Sequence, residues 1–169
     1  GSPRKGGNTE IMVNNALEAA RGEGAETDTI FLSEKKVEPC LACGACSSGT
    51  CVINDDFNEV FSKMAEADGL IFASPSYYES MTPQMKALID RSGTFNGTAH
   101  GRTQFDDTIA GAMSVARRTG LANVWTQQLL FILGQKMIVP GIKSYANAVA
   151  EAKGDIVNDK EGMESSWDL

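Results

Sequence analysis

The sequence predicts an α/β fold built on a parallel sheet, and three observations carry that prediction. Two near-continuous apolar runs, residues 69–74 (GLIFAS) and 108–115 (TIAGAMSV), read as strands covered on both faces. Segments with the 3.6-residue apolar period of helices follow each of them. A glycine-rich turn, residues 1–9 (GSPRKGGNT), runs straight into a further helix, as at the strand-to-helix junctions of doubly wound sheets. Alternation of this kind defines the α/β class.

Taken in order, Asn8, Thr9 and Glu10 can cap a helix over residues 9–21, with Ile11 and Met12, Ala16, Ala19 and Ala20 on its apolar side. Residues 27–32 (TDTIFL) read as a strand and lead into a cysteine-rich loop at 40–51. Asp55 and Asp56 suit the start of a helix reaching about residue 67, whose Phe57, Val60, Phe61 and Met64 keep the helical period. After the strand at 69–74, Thr82 and Pro83 open another helix, with Met85, Leu88 and Ile89 on its buried side. Residues 92–107 are rich in Gly, Thr, Asn and Gln and are expected to be a long loop, with His100 on its surface. A helix over 121–135 and a short strand at 137–139, stopped by Pro140 and Gly141, complete the alternation. Trp125, Leu129, Leu130 and Leu133 are expected in the core or at a subunit contact. Beyond Ala150 the chain is polar and acidic, with no evident core element. A five-stranded sheet of order 2-1-3-4-5 would need a strand before Gly1 and a helix after the fifth strand, so both are expected beyond the given residues.

With 169 residues, one domain is expected over 1–169, and 42% hydrophobic with 22% charged residues is ordinary globular composition. A net charge of −7 argues against nucleic acid or an anionic membrane as partner. No apolar run approaches the roughly 20 residues of a membrane span. No secretory signal pattern is present, and clustered liganding cysteines fit a reducing cytoplasm, the expected location.

Cys40, Cys43, Cys46 and Cys51 are all the cysteines of the chain, spaced C-x2-C-x2-C-x4-C with small residues between. Compact thiolate runs of this kind hold [4Fe–4S] clusters. Structural zinc usually takes two separated knuckles and often a histidine, whereas here no second knuckle exists and the sole histidine is remote. Disulfides across two-residue spacings are strained. Zinc and redox-active thiols remain the alternatives. The turn at 1–9 suits a phosphate, because glycines admit the backbone and a helix start offers free N–H groups. Ser2, Asn8 and Thr9 add neutral donors and Arg4 a charged one, and without the P-loop lysine-serine ending nucleotide hydrolysis is not expected. Residues 74–82 (SPSYYESMT) offer aromatic faces and backbone groups beside that phosphate; Arg117 or Arg118 could favour an anionic reduced flavin or pair with surface carboxylates.

GSPRKGGNTE, SPSYYESMTPQMKALIDR and the compact cysteine run together resemble the iron–sulfur flavoproteins of the NADPH-dependent FMN reductase superfamily, over about residues 1–145. The resemblance implies a flavodoxin-like fold, FMN, a [4Fe–4S] cluster, and homodimers or homotetramers in which cluster and flavin approach across subunits. On that mapping Ser2, Arg4, Asn8 and Thr9 hold the FMN phosphate, and Pro75, Ser76, Tyr77, Tyr78, Ser80 and Met81 surround the ribityl chain and ring. The four cysteines hold iron, and residues 116–120 replace a more glycine-rich stretch common in relatives. The expected activity is electron transfer between a one-electron donor such as ferredoxin, the cluster, FMN and a small-molecule acceptor. An NAD(P)H-dependent flavin or quinone reductase with structural zinc, or a thiol redox sensor, is the alternative.

Overall fold

The computed structural model describes residues 1–169. Its centre is β2 (Ile109–Ala116), seven of whose eight residues are buried, which is why the run is apolar without alternation. Over all but its last residue it pairs in parallel with β1 (Gly69–Pro75), from Gly69 opposite Ile109 to Pro75 opposite Val115. On the other side, only its carboxyl end pairs with β3 (Asn147–Val149), giving the order β1-β2-β3.

Helices cover both faces. On one side, α2 (Phe57–Ala65), α3 (Pro83–His100) and α4 (Leu121–Gly134) share a core that includes Phe57, Phe61, Leu88, Phe95, Val124 and Ile132. On the other, α1 (Asn8–Gly22) and the C-terminal segment bury Met12, Ala16, Met113, Ala148 and Ile156. Gly111 in β2 leaves room for Leu169, since a Cβ there would stand 2.6 Å from the leucine Cδ1. No helix is long and apolar enough to cross a membrane.

Several expectations meet a different structure. These residues form a sheet of three strands. Residues 27–31 form no strand. A groove of about 870 Å³, lined by residues such as Leu17, Thr29, Phe31, Leu70 and Phe72, lies between them and β1. Residues 137–139 make one parallel bridge, Ile138 to Ile109, before Pro140, which lacks an N–H, turns the chain away. The edge of β2 is covered again only at Asn147, so the expected fifth strand is divided into two pieces.

The expected loop at 92–107 is helical through His100, because Ser92, Phe95 and Asn96 continue the buried face of α3. Gly101 then ends the helix with φ +60° while the Arg102 N–H donates to Asn96 O, a glycine cap in the left-handed region. His100 stacks on Phe61 rather than standing on a loop surface. Finally, the acidic tail does fold. Asp159 caps α5 (Lys160–Trp167) by accepting from the Gly162 N–H at 3.0 Å, and Asn15 of α1 donates to Met163 O and Ser166 Oγ. The helix expected after the fifth strand therefore lies within these residues.

Candidate functional site

Three loops meet at the carboxyl ends of β1 and β2, where ligands bind in open α/β sheets. The first, residues 1–7, is pinned to the sheet. The Gly1 nitrogen donates to Ala73 O at 2.7 Å, and Thr82 Oγ1 donates to Gly1 O at 2.6 Å. Ser2 Oγ accepts from the Arg4 N–H, turning the chain, and Gly7 begins α1 with no side-chain cap. The first-turn N–H groups and the positive end of the helix dipole are thus open to an anion. One carboxylate already answers that field: Glu10 accepts from the Gly6 N–H at 2.5 Å. Arg4 is exposed and makes no ion pair, while Thr9 is buried.

Asn8 is engaged elsewhere. Its amide donates to Ala152 O at 2.8 Å and accepts from the Gly154 N–H at 2.7 Å, fastening the C-terminal segment beside the loop. That arrangement carries Lys153 to the site, where its Nζ donates to Lys5 O and lies 3.2 Å from where a Cβ on Gly6 would stand. No sequence pattern links positions 148 apart, so this cation was not legible beforehand.

The second loop follows β1. Tyr77 and Ser80 exchange backbone hydrogen bonds of 2.8 and 3.1 Å around Tyr78 and Glu79, whose φ values are +47° and +65°. Positive φ at both central residues is the geometry of a type I′ hairpin turn, normally held by Asn or Gly. Bulky residues there are strained, and such strain concentrates at ligand-binding positions. Tyr78 is fully exposed, Tyr77 is 40% exposed, and Ser80 Oγ donates to Gln127. Met81 points the other way, 4% exposed within the core of α2, α3 and α4, so it supports the loop from beneath rather than facing a ring.

The third loop, residues 117–120, touches the second. At Gly120 φ is +89°, and a Cβ would stand 2.1 Å from Ser76 Oγ and 3.0 Å from Glu79 Cα, so only glycine fits. Arg117 is exposed and paired with Glu151. Pro75 and Ser76 sit between the two loops, with the Ser76 N–H donating to Val115 O at 2.8 Å.

The cysteine loop forms a second centre. All four thiols are free; Cys46 is buried, Cys40 and Cys51 are half-buried, and Cys43 is exposed. Ala42, Gly44 and Gly49 adopt positive φ, which lets the chain coil tightly, and the Gly49 N–H donates to Cys46 O at 2.9 Å. The four cysteines line one small cavity of about 20 Å³, closed by Phe57, Arg91, Thr94 and Phe95. No residue of the three sheet-edge loops borders it. The loop packs on the flank of α3. Between Pro83 and Arg91 the helix advances about 12 Å.

Residues outside the motif fix the loop. Asn58 accepts from the Cys51 N–H at 3.3 Å and donates to Cys51 O at 3.1 Å. Arg91, 1% exposed at its side chain, donates through Nη2 to Cys51 Sγ at 3.1 Å and through Nη1 to Glu38 O and Asp55. Its guanidinium lies 4.1 Å over the Phe57 ring. Burial alone would raise the Asp55 carboxyl, but the Arg91 hydrogen bond and the Glu38 and Phe57 N–H groups outweigh it and hold the pKa below the ordinary range. Sequence reading missed Arg91, Asp55 in this role and Asn58; the only available signal was a charged residue on the expected buried side of a helix.

As to what the loop can hold, no three Cys, His, Asp or Glu side chains converge to the spacing of a single ion. In a cubane cluster each thiolate ligates its own iron, so the sulfurs stand further apart than around one metal. Four free thiols, no competing carboxylate or imidazole in the cavity, and a buried cation beside one sulfur fit such a cluster by donor chemistry.

The family model described as NADPH-dependent FMN reductase matches residues 1–152. An iron–sulfur flavoprotein of Methanocaldococcus jannaschii is 38% identical over 177 residues, covering 100% of this chain and 90% of that protein. Among solved structures, the Trp repressor binding protein of Bacillus subtilis superimposes with a TM-score of 0.68 at 22% identity, over 99% of this chain and 91% of that one. A flavodoxin, WrbA-like protein from Agrobacterium tumefaciens gives 0.58 at 16% identity, over 92% and 82%. The fold is flavodoxin-like, and the chain belongs to the NADPH-dependent FMN reductase family, among its iron–sulfur flavoproteins.

Proposed function

We propose that this chain is an electron-transfer flavoprotein that binds FMN at the sheet edge and a [4Fe–4S] cluster on Cys40, Cys43, Cys46 and Cys51. The observation that carries this reading is the cysteine cavity: four free thiols, with no other ligand type, backed by a buried guanidinium. When bound, the cluster supplies one-electron chemistry and the flavin one- or two-electron chemistry, so the pair links a donor such as ferredoxin to an acceptor that needs two.

The chain's own residues hold and orient. Arg4, Ser2, Thr9 and the open N–H groups of α1 take the phosphate, and Lys153 adds a cation beside Gly6. Asn8 contributes by fixing the segment that carries Lys153. Pro75, Ser76, Tyr77, Tyr78 and Ser80 shape the ring and ribityl walls, with Gly120 allowing close approach from the other side. Arg117 reaches the ring only if it leaves Glu151. The separation of the cysteine loop from this edge supports exchange between the cluster of one subunit and the flavin of another, in a homodimer or homotetramer. The cytoplasm is the compartment that keeps such thiols reduced.

An anaerobic absorption spectrum with iron, zinc, sulfide and flavin analysis tests the reading. About four irons per chain with FMN is the expected outcome for a [4Fe–4S] protein. One zinc per chain and no sulfide would favour instead an NAD(P)H-dependent flavin or quinone reductase with a structural metal.

A further inference from the structure

Arg91 does more than an ion pair requires. A buried guanidinium needs a counter-charge, and Asp55 supplies it. Asp55 is itself fully engaged, with the Glu38 and Phe57 N–H groups on its oxygens. Pairing alone gives no reason to aim a second arm of the fork at sulfur. A neutral thiol is a weak acceptor, whereas an anionic sulfur takes a charge-assisted hydrogen bond. Yet Nη2 lies 3.1 Å from Cys51 Sγ, and Nε is buried with no partner at all. Among the residues lining the cysteine cavity, Arg91 is the only one with a basic or acidic side chain besides the cysteines. The donor arrangement suits a cavity filled with anionic sulfur.

We infer that Arg91 is a positioning residue for the cluster, holding the Cys51 sulfur and raising the cluster's reduction potential through its buried positive charge. This rests on the cluster reading above. A bound cluster that took one electron from a one-electron donor such as ferredoxin would gain one negative charge, with no proton or bond change needed. A fixed cation at the sulfur favours that reduced form over the oxidised one, as hydrogen bonds and net charge do at such sites. Asp55 opposes the effect, since its carboxylate offsets part of the guanidinium charge. The two residues of the pair therefore act on the potential in opposite directions.

The test uses the unmutated protein with Arg91→Lys, Arg91→Gln and Asp55→Asn, all purified anaerobically. Iron, sulfide and FMN are counted, and the midpoint potentials of cluster and flavin are read by spectroelectrochemical titration. An unmutated protein without iron would refute the cluster reading itself, separately from this inference. With the cluster present, Arg91→Gln should lower its potential enough to reduce the reduced-to-oxidised ratio at least tenfold, 59 mV for one electron. Arg91→Lys should lower it less, Asp55→Asn should raise it, and the flavin potential should stay put. If Arg91→Gln cannot hold the cluster, the opposite shifts in the other two variants carry the decision. Equal potentials in all variants, shifts of the same sign for Arg91 and Asp55, or loss of the cluster from all three would each overturn the inference and leave the pair a scaffold.

Discussion

The cysteine loop and the sheet edge, the two sites proposed for redox groups, are built by opposite means. At residues 40–51 every candidate ligand lies within one short stretch, and the fold adds a buried brace of Arg91, Asp55 and Asn58 behind it. At the sheet edge, ligands come from residues 1–9, 75–80 and 117–120, and what the fold adds is backbone: positive φ at Tyr78 and Glu79, and a glycine at 120 pressed on Ser76. A local motif needs orientation from afar. A dispersed site needs its loops forced together.

The sharpest way to separate the two is to remove a ligand. Changing Cys43 to Ala takes away an exposed thiol that braces nothing, so iron should fall from about four per chain to near zero while FMN content persists. Metal and flavin analysis after anaerobic preparation reads both at once.

Breaking the brace comes next. In Asp55→Ala the guanidinium of Arg91 is left buried and uncompensated, which should cost about 3–5 kcal/mol of stability in urea unfolding. The same pair predicts a pH dependence. The folded pKa of Asp55 lies below the unfolded value of about 3.9, so its contribution is complete above that value and is lost as pH falls toward the folded pKa. Asp55→Asn should therefore show a weaker loss of stability between about pH 4 and pH 2 than the unmutated protein.

Effects at the flavin edge should be smaller and confined to binding. Arg4→Ala should narrow the preference for FMN over riboflavin by about 1.5–3 kcal/mol, the worth of a charge-assisted hydrogen bond. Equal affinities of the unmutated protein for the two flavins would contradict a phosphate site at α1. Tyr78→Gly should raise stability by about 1 kcal/mol, since it relieves a left-handed backbone, and should weaken flavin binding in the same titration. In the cysteine loop glycines already occupy two of the three positive-φ positions, which leaves only Ala42 open to a comparable gain.

How far each region could be read in advance follows from this contrast. The four cysteines, β1, β2 and the start of α3 at Thr82 and Pro83 were legible because their signals are local: spacing, a continuous apolar run, a cap followed by proline. The far half of α3 was hidden because Gly93, Gly97 and Asn96 mimic loop composition, while the burial of Phe95 and Asn96 that keeps it helical is a tertiary effect. The C-terminal helix was hidden for a related reason. It packs on β3 through Gly162, where a Cβ would stand 2.5 Å from Ala148, and its buried positions are Gly162, Ser165 and Ser166, which do not read as core in sequence. Met81 was misplaced because the sequence does not say which way a turn directs its last residue. Lys153 and Arg91 reach their sites only through the folded topology, and no window of sequence contains them with their partners.

On the function proposed above, electrons would reach the flavin through a cluster held by the four cysteines. Stopped-flow bleaching of the flavin under anaerobic conditions tests it, with reduced ferredoxin or NADPH as donor and with intact or cluster-free protein. The account predicts fast bleaching by ferredoxin that disappears with the cluster while FMN stays bound, and slow or no bleaching by NADPH. Fast bleaching by NADPH, unchanged when the cluster is removed, would show that the flavin works alone and that the cysteines serve structure.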